Sequence, residues 1–210
     1  NISGNAISIG YNLTAITLNA TDIATNTADI AAIALYKVEY PYTTTFINGP
    51  GEETSDITSI ANFAYYFNSN IQSIYIGSNV TSIGTSAFNY ADSITSVTIS
   101  NSVTSIGDSA FGWASNLITI NIPNSITSIP FNAFVGTAIE TIDIPDSVTS
   151  IGNSAFAQCT SLTSITIPNS VSIILDGAFF GSTNLASVTL PTNVNFTAIG
   201  TSALRQTAIT

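Results

Sequence analysis

The residues able to do chemistry in this chain of 210 residues are few and widely spaced. The sequence contains no histidine and a single cysteine, Cys159. Without histidine, Ser-His-Asp and Cys-His catalysis are excluded, and so is every metal site that needs an imidazole ligand. One thiol cannot form a zinc cluster or close an internal disulfide. The chain also lacks a phosphate-binding loop that ends in Gly-Lys-Ser/Thr.

Two acidic groupings are the remaining candidates for chemistry. Asp143 and Asp146 are close in sequence and could imitate the carboxylate pair of a glycosidase. The equivalent positions of the repeats described below carry Thr and Asn, which favours a structural role. Glu52, Glu53 and Asp56 cluster in a turn-rich stretch, which suits a calcium site or, more simply, a solvated loop. We therefore expect a protein that is not an enzyme and that has no metal or cofactor in this region.

The charge balance restricts the partners. The formal net charge is −10, and Lys37 and Arg205 are the only basic residues. Nucleic acid and anionic membrane surfaces are therefore disfavoured as partners. No run of about 18 apolar residues predicts a membrane-spanning helix. The polar surface must be built from Ser, Thr and Asn, a composition that suits an extracellular, β-rich protein.

A repeat of 22 or 23 residues positions most of these side chains. Full copies begin at Ile71, Ile94, Leu117, Ile139, Leu162 and Leu185. Each copy has an alternating strand, a turn of the Pro-Asn/Asp-Ser type, and a returning segment with the pattern Val-Thr-Ser-Ile-Gly-x-Ser-Ala-Phe. No single copy can bury its apolar residues, so the copies must stack around a continuous core.

Stacking predicts ladders of equivalent residues. The inward aliphatic ladders are Ile74, Val97, Ile120, Ile142, Ile165, Val188 and Ile76, Ile99, Ile122, Ile144, Ile167, Leu190. The aromatic spine comprises Phe88, Phe111, Phe134, Phe156 and Phe179, and is ended by Leu204. We expect one right-handed stack with a continuous parallel sheet of about six or seven strands. Two residues inserted between Val194 and Ile199 should bulge from the side opposite the strand ladder.

Glycine recurs at one turn position of the repeat, at Gly84, Gly107, Gly152 and Gly200. Glycine is the default residue where φ is positive, so a positive φ is expected there. Pro130 and Leu175 replace the glycine in two copies, and the backbone should differ at those places.

This pattern resembles the BspA-like leucine-rich repeats of surface proteins in bacteria, some protists and large viruses. The core Ile-x-Ile-Pro-x-Ser-Val-x-x-Ile-Gly-x-x-Ala-Phe recurs over about three quarters of the chain. The resemblance implies a leucine-rich-repeat solenoid over residues 55–210, a parallel β-sheet with an irregular or short helical convex side, truncated at its C-terminus. The family often has Phe-x-x-Cys in the last turn, and Phe156–Cys159 matches. Cys159 is therefore expected to be a small core residue rather than a reactive thiol.

Residues 1–36 follow a period of seven instead. Isoleucine recurs at Ile2, Ile9, Ile16, Ile23 and Ile30, and asparagine recurs at Asn5, Asn12, Asn19 and Asn26. A strict heptad indicates a left-handed coiled coil. The segment resembles the stalks of trimeric autotransporter adhesins and some viral fibres, whose Ile-x-x-Asn-Thr motif is matched in full by residues 23–27. The resemblance implies a homotrimer whose four Asn layers face the axis and hold an anion such as chloride.

The alternative for residues 1–36 is an irregular linker or a strand, because Thr, Asn and Gly are poor helix formers. Residues 37–54 are aromatic and turn-rich, and we expect a junction that caps the first solenoid coil.

The outward positions of the strand ladder form the candidate binding surface: Tyr75, Thr98, Asn121, Asp143, Thr166 and Thr189. The alternative is that Thr is simply a good exposed strand residue. Trp113 could be a contact between protomers or part of a loop. We expect a structural or adhesive fibre component on a virion or cell surface, attached to a surface protein or glycan. A non-binding scaffold is the alternative, and a glycan- or ice-binding Ser/Thr face is a third hypothesis that the interruptions of the ladder disfavour.

Overall fold

The computed structural model describes residues 44–47 and 57–209. These residues form a solenoid in which every strand pair is parallel. No helix is present in this part of the chain, so the short helical alternative for the convex side is wrong. A helix long and apolar enough to cross a membrane is likewise not found in the described ranges.

The strands of the described residues are two to four residues long. In chain order they are β1 Thr44–Ile47, β2 Ser59–Ile60, β3 Ser73–Ile76, β4 Ser82–Ile83, β5 Ser96–Ile99, β6 Ser105–Ile106, β7 Thr119–Ile120, β8 Ser128–Ile129, β9 Ser150–Ile151, β10 Ser164–Thr166, β11 Ile173–Ile174, β12 Ser187–Thr189 and β13 Ala198–Ile199.

Every described coil except the one that begins at Ile139 contributes strands to two sides of the solenoid. The strand arms are β1, β3, β5, β7, β10 and β12, and the return arms are β2, β4, β6, β8, β9, β11 and β13. The return-arm strands were not predicted. They form because the Ser-Ile pair of one coil lies beside the same pair of the next coil, as in Ile83 and Ile106. The Ile is buried in most of these pairs while the preceding residue faces outward.

The strand arms do not form the single continuous sheet that the repeat predicts. β1, β3, β5 and β7 form one sheet, β10 and β12 form another, and residues 141–144 between them form no strand. After β5, the Ser100 N–H donates to the Ile76 carbonyl at 3.0 Å. Pro123 and Pro145 occupy the position of Ser100 in the next two coils and have no N–H to donate. The copy that begins at Leu117, directly before the interruption, is also the one that is one residue shorter.

The return arms are divided as well, into β2–β4–β6 and β8–β9–β11–β13. The division lies at Pro130, which cannot donate the N–H that Gly107 gives to the Ile83 carbonyl at 2.8 Å. The backbone does differ at Pro130 as expected, because this hydrogen bond between return arms is missing there. The difference expected at Leu175 is wrong, because Leu175 N–H still donates to the Ile151 carbonyl at 2.9 Å.

A run of turns follows each return-arm strand and carries the aromatic spine. In one coil, Ala87 N–H bonds locally to the Gly84 carbonyl at 3.3 Å, whereas Phe88 N–H bonds to Ala110 of the next coil at 2.7 Å. Local and inter-coil bonds alternate in this way along the whole segment. Because every second N–H is directed at a neighbouring coil, the segment cannot close the ladder of an α-helix.

The recurrent glycines do not have the positive φ expected from the sequence. Positive φ falls two residues later instead, on Ser86 at 52° and on its equivalents. Glycine is needed because the coils approach closely: a Cβ on Gly107 would lie 2.4 Å from Thr85 N, and a Cβ on Gly200 would lie 2.4 Å from Asp176 N.

The core confirms the predicted ladders. The inward aliphatic positions are buried, except that Val188 and Leu190 in the last full coil are partly buried. The five predicted Phe rings stack with centroids 5.2–5.8 Å apart, and Tyr65 precedes them, stacked on Phe88 at 4.9 Å. Leu204 packs against the end of the core as expected.

The insertion between Val194 and Ile199 confirms its predicted placement. Val194 is 99% exposed, and residues 194–197 form no strand. The chain rejoins the solenoid at β13, which pairs with β11 in the return-arm sheet and not in the strand-arm sheet.

The predicted stalk lies outside the described residues, and with it Asn5, Asn12, Asn19 and Asn26. Most of the junction, including Glu52, Glu53 and Asp56, also lies outside them. Within the junction, β1 pairs with β3 with Thr44 beside Ser73, so that it adds a strand arm to the start of the sheet.

Candidate ligand-binding site

The six predicted outward residues occupy different environments. Tyr75 is half-buried, and the other five are exposed. Tyr75 lies beside Thr98 in the first strand-arm sheet, and Thr166 lies beside Thr189 in the second. Asp143 lies between the two sheets, in the segment that forms no strand.

Asn121 ties two coils together. Its Oδ1 accepts the Ile99 N–H at 2.7 Å, and its Nδ2 donates to the Ile99 carbonyl at 2.8 Å. The Nδ2 group thereby supplies the donor that Pro123 lacks. Because both polar atoms of its amide are engaged, the surface proposed below does not include Asn121.

A shallow groove of about 640 Å³ opens on the strand face where the sheet is interrupted. Its lining brings together three of the predicted residues, Asp143, Thr166 and Thr189, with Asp146 and Asn169 from the adjoining turns. The backbone groups of residues 141–144 make no hydrogen bond with the backbone of either neighbouring coil, both of which lie in the described part of the chain. The groove is thus lined in part by residues whose backbone groups are not paired with the neighbouring coils.

The side chains of the groove are mostly acceptors and hydroxyls. Asn169 Oδ1 accepts the Thr192 N–H at 2.9 Å, which fixes the turn at one end. The carboxylates of Asp143 and Asp146 and the hydroxyls of Thr166 and Thr189 have no hydrogen-bond partner within the described ranges. No group of three or more His, Cys, Asp or Glu side chains in those ranges is placed to hold a metal ion.

Hydroxyls on the return arms are used differently. Thr104 Oγ1 donates to the Thr81 carbonyl at 3.2 Å, and Thr149 Oγ1 donates to the Thr127 carbonyl at 3.0 Å. These side chains add hydrogen bonds between coils. The abundance of Thr therefore has a structural cause on the return side, whereas the hydroxyls of Thr166 and Thr189 in the groove have no hydrogen-bond partner among the described residues.

Trp113 belongs to a second aromatic row that the sequence analysis missed. Phe67 stacks on Tyr90 at 4.8 Å, and Tyr90 stacks on Trp113 at 6.2 Å. A Cβ on Gly136 would lie 2.3 Å from the indole ring, so the glycine makes room for Trp113. The signal was an aromatic residue two positions after the spine in three successive coils.

Cys159 is fully buried, as predicted. Its Sγ lies 3.1 Å from the Phe134 carbonyl oxygen and 3.4 Å from Thr137 Oγ1. Burial raises the pKa of the thiol from 9.0 to about 11, against smaller lowering effects of hydrogen bonds with Thr137 and Gly136. A thiol that is protonated and inaccessible is a core residue, not a nucleophile.

Comparison with known proteins agrees with this architecture. The family described as BspA type leucine rich repeat region matches in six copies, over residues 5–118, 41–163 and 82–210. The chain therefore belongs to the BspA-type leucine-rich-repeat family. Proteins of this family and fold are typically not enzymes. The search of curated protein sequences finds no significant match.

Solved structures show the same fold. A leucine-rich repeat protein from Eubacterium ventriosum has a TM-score of 0.68 and 22% identity, over 80% of this chain and 47% of that protein. One from Bacteroides ovatus has a TM-score of 0.62 and 28% identity, over 78% of this chain and 50% of that protein. The pneumococcal vaccine antigen PcpA has a TM-score of 0.57 and 19% identity, over 81% and 50% of the two chains. The chain thus spans about half the length of these relatives.

Proposed function

We propose that this protein is an extracellular adhesion component that binds a neutral glycan through the strand-face groove. The observation that carries the proposal is the interruption of the strand-arm sheet at residues 141–144. There residues 141–144, whose backbone groups have no backbone partner in the neighbouring coils, line one groove with Asp143, Thr166 and Thr189.

The chemistry of the groove selects the ligand class. Two carboxylates and two free hydroxyls can accept hydrogen bonds from sugar hydroxyls, and the open backbone N–H groups can donate to them. No basic side chain lines the groove, so a sialylated or sulfated sugar would meet only negative charge. A neutral oligosaccharide satisfies both conditions.

The proposed location rests on the family. BspA-like repeats are typical of surface proteins, and a pneumococcal vaccine antigen has a similar fold. A net charge of −10 and a polar surface of Ser, Thr and Asn suit an extracellular setting. The cell or virion surface is therefore where we place the molecule.

A homotrimeric fibre with a stalk over residues 1–36 remains a prediction from the heptads alone. The stalk would hold an anion such as chloride between its Asn layers. Molecular mass in solution, measured with and without residues 1–36, tests it: a trimer that becomes a monomer on removal supports the stalk.

Binding is tested with the full chain on a glycan array that carries neutral and anionic oligosaccharides. We expect neutral sugars to bind and anionic ones to be rejected. Asp143→Ala and Thr166→Ala should each weaken a neutral hit by roughly tenfold through loss of hydrogen bonds. Asp108→Ala, an exposed carboxylate outside the groove, is the matched control and should bind normally. A folded protein that binds no glycan would leave the non-binding scaffold as the better hypothesis.

A further inference from the structure

The loop inserted before β13 carries a short modification motif. Asn195-Phe196-Thr197 has the pattern Asn-x-Ser/Thr with a middle residue other than proline, which is the acceptor sequence for an N-linked glycan. Such a glycan is bulky and hydrophilic, so the folded protein can carry it only on a surface side chain. No residue of this loop lines the strand-face groove, so the motif has no part in the ligand-binding site proposed above.

The loop is held at both ends while its tip is exposed. On one side, Asn193 Nδ2 donates to the Asn169 carbonyl, and Asn193 Oδ1 accepts the Asn195 N–H at 2.6 Å. On the other side, Phe196 packs against the core. Between these two anchors Val194 is 99% exposed, and Asn195 is exposed beside it. The backbone therefore presents the Asn195 side chain at the surface of the described part of the chain.

The Asn195 side chain takes no part in the contacts that hold the coils together. Its amide has no hydrogen-bond partner among the described residues. The amides of Asn121 and Asn193, by contrast, bond to neighbouring coils. Asn195 can therefore receive a sugar without loss of a hydrogen bond or of core packing.

A second motif among the described residues, Asn79-Val80-Thr81, has a different environment. It belongs to the regular turn of the repeat, and the residues that replace Asn79 in the next three coils each donate to a carbonyl of the preceding coil: Ser102, Ser125 and Ser147. A glycan at Asn79 would thus stand where neighbouring coils contact one another. The loop of Asn195 is an insertion that no other described coil has.

We propose that Asn195 is the acceptor of an N-linked oligosaccharide. The proposal rests on the extracellular location proposed above, because the transfer takes place as a chain enters a secretory compartment. The donor is an oligosaccharide bound through a pyrophosphate to a membrane lipid. Asn195 Nδ2 forms a bond to C1 of the first sugar, the bond between C1 and the pyrophosphate oxygen breaks, and Nδ2 loses one proton to the transferase. The lipid pyrophosphate is the leaving group.

Thr197 fixes when the transfer takes place. The motif requires the hydroxyl of its third residue. In the folded chain, Thr197 Oγ1 donates to the Ser172 carbonyl at 2.9 Å, so this hydroxyl is engaged within the solenoid. The transfer therefore precedes closure of the last coil, and the fold then accommodates the sugar at the exposed tip. The sugar places a hydrophilic group beside Val194, whose apolar side chain is fully in solvent.

The test is expression of the full chain, with a secretion signal, in a eukaryotic host that transfers such oligosaccharides. Enzymatic release of the sugars in heavy-oxygen water converts each modified Asn into a labelled Asp, which peptide mass spectrometry locates. We expect the label at Asn195 in the wild-type chain and in Thr197→Ser, which keeps the hydroxyl. Asn195→Gln and Thr197→Ala should lose it completely at this position. Asn79→Gln is the matched control and should keep the label at Asn195.

An unlabelled Asn195 in the wild-type chain overturns the proposal. Label at the other motifs does not rescue it, and mapping by peptide keeps them apart: Asn79, and Asn1, Asn12 and Asn19 outside the described residues. Cell-associated protein is mapped together with secreted protein, because the transfer precedes folding and a poorly folding variant still carries the label.

The glycan array separates this proposal from the adhesion proposal. Asn195→Gln should bind neutral sugars as the wild-type chain does, because its loop lies outside the groove. Array binding by a chain with a bare Asn195 refutes only the modification site. A labelled Asn195 in a chain that binds no sugar on the array refutes only the groove.

Discussion

The aromatic spine and the strand-arm ladder run through the same coils, and only the spine is continuous. From Tyr65 to Phe179 each ring stacks on the next with centroids 4.9–5.8 Å apart. The strand arms on the other side stop pairing at residues 141–144. The two ladders therefore respond differently to the shortening of the repeat by one residue.

The difference follows from the forces that hold each ladder. The spine residue lies eight positions before the strand arm in most coils, but Phe134 lies only seven before Thr141. Ring stacking is tolerant of small shifts, since offset arrangements are favourable over a range of distances. Backbone pairing requires alignment of every donor and acceptor, so a shift of one residue can end it. Pro123 and Pro145 remove a donor on either side of the break, but Pro168 and Pro191 do the same beside the paired β10 and β12, so the shortened copy is what distinguishes this place.

We expect the aromatic spine to contribute more to stability than the pairing of the strand arms. Phe134→Ala should lower the free energy of unfolding by about 3–5 kcal/mol, because the ring is fully buried between Phe111 and Phe156. Phe131→Ala is the matched control: its ring is 47% exposed, and its loss should cost less than about 1 kcal/mol. Urea unfolding measures both, and equal losses would contradict the assignment of the spine.

The Cys159 thiol, which is buried beside the spine, should give the next largest change in unfolding free energy. The unfolded thiol ionises near pH 9.0, whereas the folded one stays protonated until about pH 11. The unfolded state therefore binds fewer protons between these values, and stability falls as the pH rises. The loss by pH 11 should be about 2 kcal/mol relative to Cys159→Ala, in which the tyrosine contributions are the same. Parallel pH curves for the two proteins would mean that the thiol is accessible in the fold.

Sequence patterns predicted the core better than the backbone geometry. The solenoid, the buried ladders, the Phe spine and the burial of Cys159 follow from which residues recur and are apolar. The return-arm strands were missed because two-residue segments such as Ser82–Ile83 have no periodicity of their own. The broken sheet was missed because the one-residue deletion before Ile139 was interpreted only as a change of repeat length, without its effect on the alignment of backbone donors and acceptors.

The candidate site was predicted in part for the same reason. Asp143, Thr166 and Thr189 were chosen because they point outward, and the groove does bring them together. Their separation from Tyr75 and Thr98 depends on the sheet interruption, which a regular repeat does not reveal. The engagement of the Asn121 amide depends on a missing N–H in the neighbouring turn.

Glycine substitutions distinguish close approach of coils from positive φ. Gly107→Ala should cost about 1–3 kcal/mol, because its Cβ would overlap the backbone at Thr85 N, 2.4 Å away. Gly177→Ala should cost no more than about 1 kcal/mol although its φ is +62°, since Ser154 and Ser202 adopt nearly the same φ in the adjacent coils. Thermal unfolding of the two variants compares them directly. A larger loss at Gly177 would show that backbone conformation, and not coil spacing, selects glycine.

The smallest expected loss of unfolding free energy concerns Asn121, which lies where the strand arms cease to pair while the aromatic spine continues. Asn121→Ala removes both hydrogen bonds to Ile99, and Asn121→Asp keeps the acceptor but loses the donor to the Ile99 carbonyl. Each variant should lose about 1–2 kcal/mol of unfolding free energy, because a nearly buried carbonyl loses its partner. Thr98→Ala, an exposed outward residue of the preceding coil, is the control and should change stability by less than about 0.5 kcal/mol. Amide hydrogen exchange adds a local measurement: faster exchange at Ile99 in Asn121→Ala alone would locate the loss at this bond. If Asn121→Ala were as stable as the control, the Asn121 amide would contribute nothing to the end of the first strand-arm sheet. The interruption would then be attributed to the shortened coil alone.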